Sequence, residues 1–185
     1  WVLEQALRTQ ARLQAAGNRL PLSINVSPRQ FRQPDFVQQI SALIERTGAN
    51  PACLVLEVTE GLLIENMDST IARMNEIAAL GIRFSIDDFG TGYSSLAYLK
   101  RLPLYELKID RSFIQDAPTD PSDTAIVQMI LSMAKHLRLR VVAEGVETRE
   151  QADFLAANGC DAMHGYLYAR PAPVDEWLVA TRLPS

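Results

Sequence analysis

The chain has little of several things. Its 185 residues include only two cysteines, Cys53 and Cys160. Each lies in an apolar, strand-like run, so they read as buried packing residues of a reducing compartment, not as a disulfide. Cys/His spacing of the zinc type is missing. A basic surplus is missing too: the net charge of −4 and pI near 5.2 exclude a general binder of nucleic acids or anionic membranes. If the ligand is an anion, metal must mediate. No apolar run approaches the roughly 18 residues of a membrane span, and no signal-peptide pattern appears. A glycine-rich first loop for nucleotides is also lacking.

What is present is an ordinary globular composition, 48% hydrophobic and 22% charged, long enough for one well-buried core and read as one domain over 1–185. Apolar stripes at helical spacing alternate with short β-branched runs. A helix through Leu3, Leu7 and Leu13 precedes a strand at 22–26, and a helix opened by Pro34 and Asp35 and closed by Gly48 precedes a strand at 54–58. A helix through Ile71, Met74 and Ile77 ends at Gly81, before a strand at 82–88. A strand at 106–110, a helix through Ile126 to Leu137 and a strand at 140–144 follow. Thr148 and Gln151 form a capping box for the next helix. A short strand at 160–163 and a last helix from Val174 to Thr181 close the chain.

Strands and helices alternating in this way predict parallel βαβ units, in a doubly wound sheet or a (β/α)8 barrel. Asn25, Glu57, Asp87, Asp88, Lys108, Glu144 and His164 fall at or near the C-terminal ends of successive strands, where a barrel gathers its active site. The expectation is therefore an α/β, TIM-like barrel with about six of its eight units in this chain. Trp1 opens in mid-helix, as expected of a piece that lacks the first strands.

The pattern centres on Ile82 to Leu96, an apolar strand that ends in Asp87-Asp88 and a loop bearing Gly90 and Gly92. Two adjacent carboxylates repel each other, and a cation between them resolves the conflict. Four acids (Glu57, Asp87, Asp88, Glu144) with Asn25 and Lys108 suit hard, oxygen-preferring ions such as Mg²⁺ or Mn²⁺. A pair of such ions can clamp the attacking and leaving oxygens of a phosphodiester. Asp110 is read as an ion-pair partner of Arg111 or Lys108, and His136 as a surface residue.

At these residues the sequence resembles the EAL-domain phosphodiesterases of bacterial cyclic di-GMP signalling. The motifs are Asn25-Val26-Ser27, Glu57-Val58-Thr59-Glu60, Asp87 to Leu96, Leu107-Lys108-Ile109-Asp110, Ala143 to Glu147, and Gly159 to Tyr166. The resemblance implies metal-dependent hydrolysis of cyclic di-GMP to linear pGpG with two Mg²⁺ or Mn²⁺ ions per site. It implies Asn25, Glu57, Asp87 and Asp88 as metal ligands, Lys108 and Glu144 on the attacking water, Glu147 in support, and Glu60 as anchor of the loop. It also implies a cytoplasmic homodimer formed through 89–96, and an upstream GGDEF or sensor domain in a parent protein, membrane-anchored or free. Two departures stand out. The Glu-Ala-Leu tripeptide occurs nowhere in the chain, so the fragment itself is expected to be impaired, and His164 stands where the family usually has Gln. The alternative reading is a degenerate domain that binds cyclic di-GMP, or a protein partner, without cleaving it.

Overall fold

The computed structural model describes residues 1–64, 66–92 and 99–176. Six strands, β1 (Leu22–Asn25), β2 (Leu54–Thr59), β3 (Arg83–Phe89), β4 (Glu106–Ile109), β5 (Arg140–Ala143) and β6 (Ala162–Met163), pair in sequence order. Every pairing is parallel, and the sheet curls into a half-barrel. Sequential parallel neighbours require a crossover each time. Helix α1 (Val2–Ala15) precedes β1, and among the described residues the crossovers carry α2 (Pro28–Phe31), α3 (Phe36–Thr47), α4 (Gly61–Ile64), α5 (Met67–Ala79), α6 (Arg111–Gln115), α7 (Pro121–Leu137) and α8 (Arg149–Ala157).

Local chemistry explains the helix ends. Asp120 accepts from the amides of Ser122 and Asp123 to start α7, with Pro121 at its first position, where a missing N–H does no harm. The capping box of Thr148 and Gln151 starts α8. Gly48 takes φ 68° to end α3, but the same left-handed conformation at the end of α7 falls on Arg138, φ 58°, a non-glycine residue that it strains. The short helices α2, α4 and α6 are not legible in the hydrophobic periodicity, because four or five residues span barely one turn. Cys53 lies in a 3₁₀ turn, Pro51–Cys53, ahead of β2 rather than in it, and Cys160 precedes β6; both thiols are free.

Side chains on a strand alternate between faces, and the alternation here separates two chemistries. Ile24, Leu56, Val58, Phe84, Ile86, Leu107, Ile109, Val141 and Ala143 join one hydrophobic cluster with Leu7, Phe36, Ile40, Met74, Ile77, Val127, Ile130 and Leu155 of the helices. Full burial of each such side chain contributes about 1.5–3 kcal/mol. The intervening positions, Asn25, Glu57, Ser85, Asp87, Glu106, Lys108 and Arg140, occupy the other face, and Glu57, Ser85, Glu106 and Lys108 are buried there. Strand β1 differs, with Ser23 and Asn25 exposed. The C-terminal helix expected from Val174 is described only through residue 176. Among the described residues no helix is long and apolar enough to cross a membrane.

Candidate active site

Lys108 is the hub. It sits on β4, with only 6% of its side chain exposed, and its ammonium lies 2.6 Å from Glu144 Oε1, 3.0 Å from Glu57 Oε2 and 3.1 Å from Asp87 Oδ1. Burial opposes its charge, but the bond to Glu144 and the nearby carboxylates of Glu57 and Asp87 outweigh burial and hold the ammonium above its ordinary range. Three carboxylates surround one cation. The surplus negative charge shows at Glu144, whose carboxyl is pushed up first by burial, against the pull of Lys108, with further repulsion from Asp87 and Glu57.

A register shift brings the adjacent aspartates together. On a regular strand Asp87 and Asp88 would point to opposite faces. Here Ile86 pairs with Leu107 and Phe89 with Ile109, so two residues of β3 face the single Lys108 of β4, which is a β-bulge. Asp88 takes φ 52°, and its carbonyl accepts from both the amide and the hydroxyl of Thr91, at 3.3 and 2.9 Å. The result is that ligand atoms of Asp87, Asp88 and Glu144 all lie within 4.8 Å of one another.

Asp110 joins this group, which the sequence reading did not foresee. It caps α6 by accepting from Ser112 N at 2.9 Å and Ser112 Oγ at 2.5 Å, and its carboxyl lies beside that of Asp88. Burial, Asp87 and Asp110 together push Asp88 up. Asp110 itself is held below its ordinary value, because bonds from Ser112, Arg111 and Asp88 overcome its burial. The two neighbouring carboxyls are thus pushed in opposite directions, Asp88 up and Asp110 down. The available signal was its placement two residues after Lys108, on the same side of the chain.

The remaining candidates lie around this centre. Asn25 pairs in register with Glu57 at the exposed end of β1. Glu60, buried at 6%, accepts from the Gly90 amide at 3.0 Å through Oε1. A side chain at Gly92 would strike Glu60 Oε2, so that carboxylate and the loop are in close contact. Glu147 is exposed, and its backbone amide bonds Gln151 Oε1 at 2.7 Å. His164 is exposed; its amide donates to Ala143 O at 2.8 Å and its carbonyl accepts from Val146 N at 2.9 Å, which sets it beside Glu144 in the backbone ladder. Neither Glu147 nor His164 is in the close acidic cluster found among the described residues. Residues 93–96 of the loop lie outside the described residues. Beneath Lys108, Glu106 faces Ser85 and Arg140 in register and approaches Arg140 Nη1 at 3.6 Å.

Clustered carboxylates with a buried amine, at the C-terminal ends of parallel strands, define an α/β-barrel protein whose mouth offers hard oxygen donors to divalent cations. The sequence matches the EAL domain over residues 1–171, and the chain belongs to that family. It is 46% identical over 186 residues to the cyclic di-GMP phosphodiesterase NbdA of Pseudomonas aeruginosa, covering 98% of this chain and 24% of the relative. The chain spans about a quarter of the length of the curated relatives it matches. The structure superposes on the PaMucR phosphodiesterase in complex with c-di-GMP with a TM-score of 0.92 and 41% identity, over 96% of this chain and 72% of that one. It also superposes on Klebsiella pneumoniae BlrP1 in a manganese and cy-diGMP complex, with a TM-score of 0.82 and 30% identity, over 91% and 43% of the respective chains.

Proposed function

We propose that this chain is the larger part of a phosphodiesterase domain that hydrolyses cyclic di-GMP to linear pGpG. The observation that carries the reading is the single buried ammonium of Lys108 held among Glu57, Asp87 and Glu144. A domain that only bound a nucleotide would gain nothing from gathering three acids, one buried and two half-buried, around one buried amine, a costly arrangement unless it is used. The close cluster of Asp87, Asp88 and Glu144 is all carboxylate, which fits Mg²⁺ or Mn²⁺, and the manganese complex of BlrP1 supports that choice. Two such ions, held by Asn25, Glu57, Asp87, Asp88 and Asp110, would supply positive charge where the phosphodiester oxygens gain negative charge.

The chain's own residues do the rest. Lys108 keeps Asp87, Glu57 and Glu144 in one orientation and presents a donor to the water that adds to phosphorus as the phosphodiester P–O bond breaks. Glu144, held above its ordinary range and bonded to Lys108, is placed to accept the proton of that water. Glu60 holds the loop through Gly90, and Glu147 supports the segment after β5. A cytoplasmic homodimer formed through 89–96 and an upstream regulatory domain belong to the same proposal. The bifunctional diguanylate cyclase and phosphodiesterase MucR, 42% identical over 182 residues, supports the latter.

The test is chromatographic conversion of cyclic di-GMP to pGpG with Mn²⁺ or Mg²⁺, by this chain and by a longer protein that contains it. The longer protein should turn over and its Asp87→Asn variant should not, with the shorter chain weaker than the longer. Binding of cyclic di-GMP by the longer protein without turnover would refute hydrolysis and establish a receptor.

A further inference from the structure

The first turn of α6 is wedged between the loops that leave β3 and β5. On one side, the Cα of Gly90 rests on the Phe113 ring: an added Cβ there would lie 2.8 Å from Phe113 Cε2, 3.3 Å from its Cζ and 3.6 Å from Ile130 Cδ1. On the other, a Cβ added at Gly145, next to Glu144, would lie 2.5 Å from Arg111 Cβ. Both glycines have positive φ, 102° and 70°, so both loops press their backbones onto α6 where no other residue fits. The same turn begins with Asp110, whose carboxylate meets Asp88. Phe113 N donates to Asp110 O at 3.2 Å, closing the turn. One helical turn therefore touches the end of β3 at two points, acid to acid at Asp88 and ring to backbone at Gly90.

These contacts converge on the bulge. Gly90 is gripped from two directions, by Glu60 Oε1 on its amide and by Phe113 on its Cα. Asp88, two residues earlier, has a left-handed backbone, a conformation that costs about 1–2 kcal/mol and persists only where its surroundings enforce it. Glu60 binds the amide, and the ring of Phe113, half-buried and packed against the core, lies against the Cα on the side of α6.

We propose that Phe113 is a positioning residue: its ring, seated under Gly90, holds the Asp87-Asp88 bulge against Asp110 so that the carboxylates act as one donor set. The inference rests on the divalent-ion reading above. Its place differs from plain core filling: Phe113 supplies the two atoms nearest a Cβ built on Gly90, whereas its neighbour Ile114 is fully buried.

The test uses this chain with Phe113→Ala and Phe113→Leu, and Ile114→Val as the packing control. Mn²⁺ affinity is read by calorimetric titration, and exchange of the Gly90 amide hydrogen by NMR without metal. Phe113→Ala should weaken Mn²⁺ binding about tenfold, the lower end of the losses on removing a group that orients a metal ligand, and Phe113→Leu should weaken it less. Ile114→Val should lower the melting midpoint and leave Mn²⁺ affinity unchanged. Exchange at Gly90 should accelerate in both Phe113 variants relative to the Lys108 amide of β4. If Phe113→Ala does not fold, Phe113→Leu decides. Unchanged affinity in a folded Phe113 variant, or an equal loss in Ile114→Val, overturns the proposal. If the parent chain takes up no Mn²⁺, the divalent-ion reading fails separately, and Gly90 exchange no faster than Lys108 exchange refutes the positioning role.

Discussion

Replacing Lys108 by methionine keeps the length and most of the volume of the side chain and removes its charge. The ammonium has three carboxylate oxygens at 2.6, 3.0 and 3.1 Å. At an effective dielectric constant of about 20, each contact is an attraction of roughly 5–6 kcal/mol, most of it offset by the desolvation of buried charges. Removing one partner leaves the desolvation and deletes the attraction, so a net loss of about 3–5 kcal/mol is expected. The pH dependence follows from the carboxyls left behind. Without the ammonium, Glu144 loses the group that opposes its burial and its repulsion by Asp87 and Glu57, so its carboxyl is pushed up further. A raised carboxyl pKa makes the folded state take up a proton, so the penalty is complete above the folded pKa and fades as pH falls through it. Urea unfolding in EDTA, followed by circular dichroism, should show the full loss near pH 8 and a smaller one near pH 5. A loss under about 1 kcal/mol at the higher pH would mean that Lys108 behaves as a surface ion pair. A loss that is the same at both pH values would refute the buried-acid argument.

Two further outcomes are expected. Arg138 ends α7 with φ 58°, so Arg138→Gly should relieve left-handed strain and stabilise the chain by about 0.5–1 kcal/mol in urea unfolding; destabilisation would show that the arginine side chain outweighs the strain. Glu106 is held above its ordinary range chiefly by burial, against the pull of Arg140, so its ionised form disfavours folding above that raised pKa. Glu106→Gln should therefore gain up to about 1 kcal/mol near pH 8 and nothing near pH 4, and a gain at the lower pH would contradict the assignment.

Strand and helix order was legible because it is local. Short, nearly continuous apolar runs such as Leu54 to Val58, and the capping box of Thr148 and Gln151, carry their structure in neighbouring residues. The expected six-stranded parallel sheet is the sheet observed. The polar ends of these strands were legible as well, since Glu57 and Lys108 interrupt runs that are otherwise apolar. The one-turn helices α2, α4 and α6 were not, for want of a period to read.

The sequence by itself determined which residues could face inward; tertiary structure decided which of them meet. Adjacent aspartates cannot share a face on a regular strand, and nothing in the order of residues 86–89 announces that β3 slips by one residue against β4. That slip is a property of two strands, and it turns Asp87 and Asp88 toward Lys108. The same holds for Asp110, which as a sequence neighbour of Arg111 looks like an ion-pair partner and in the fold caps α6 beside the carboxyl of Asp88. Chemistry is written residue by residue, whereas register and the wedging of α6 between two glycine loops arise from packing between elements distant in the chain.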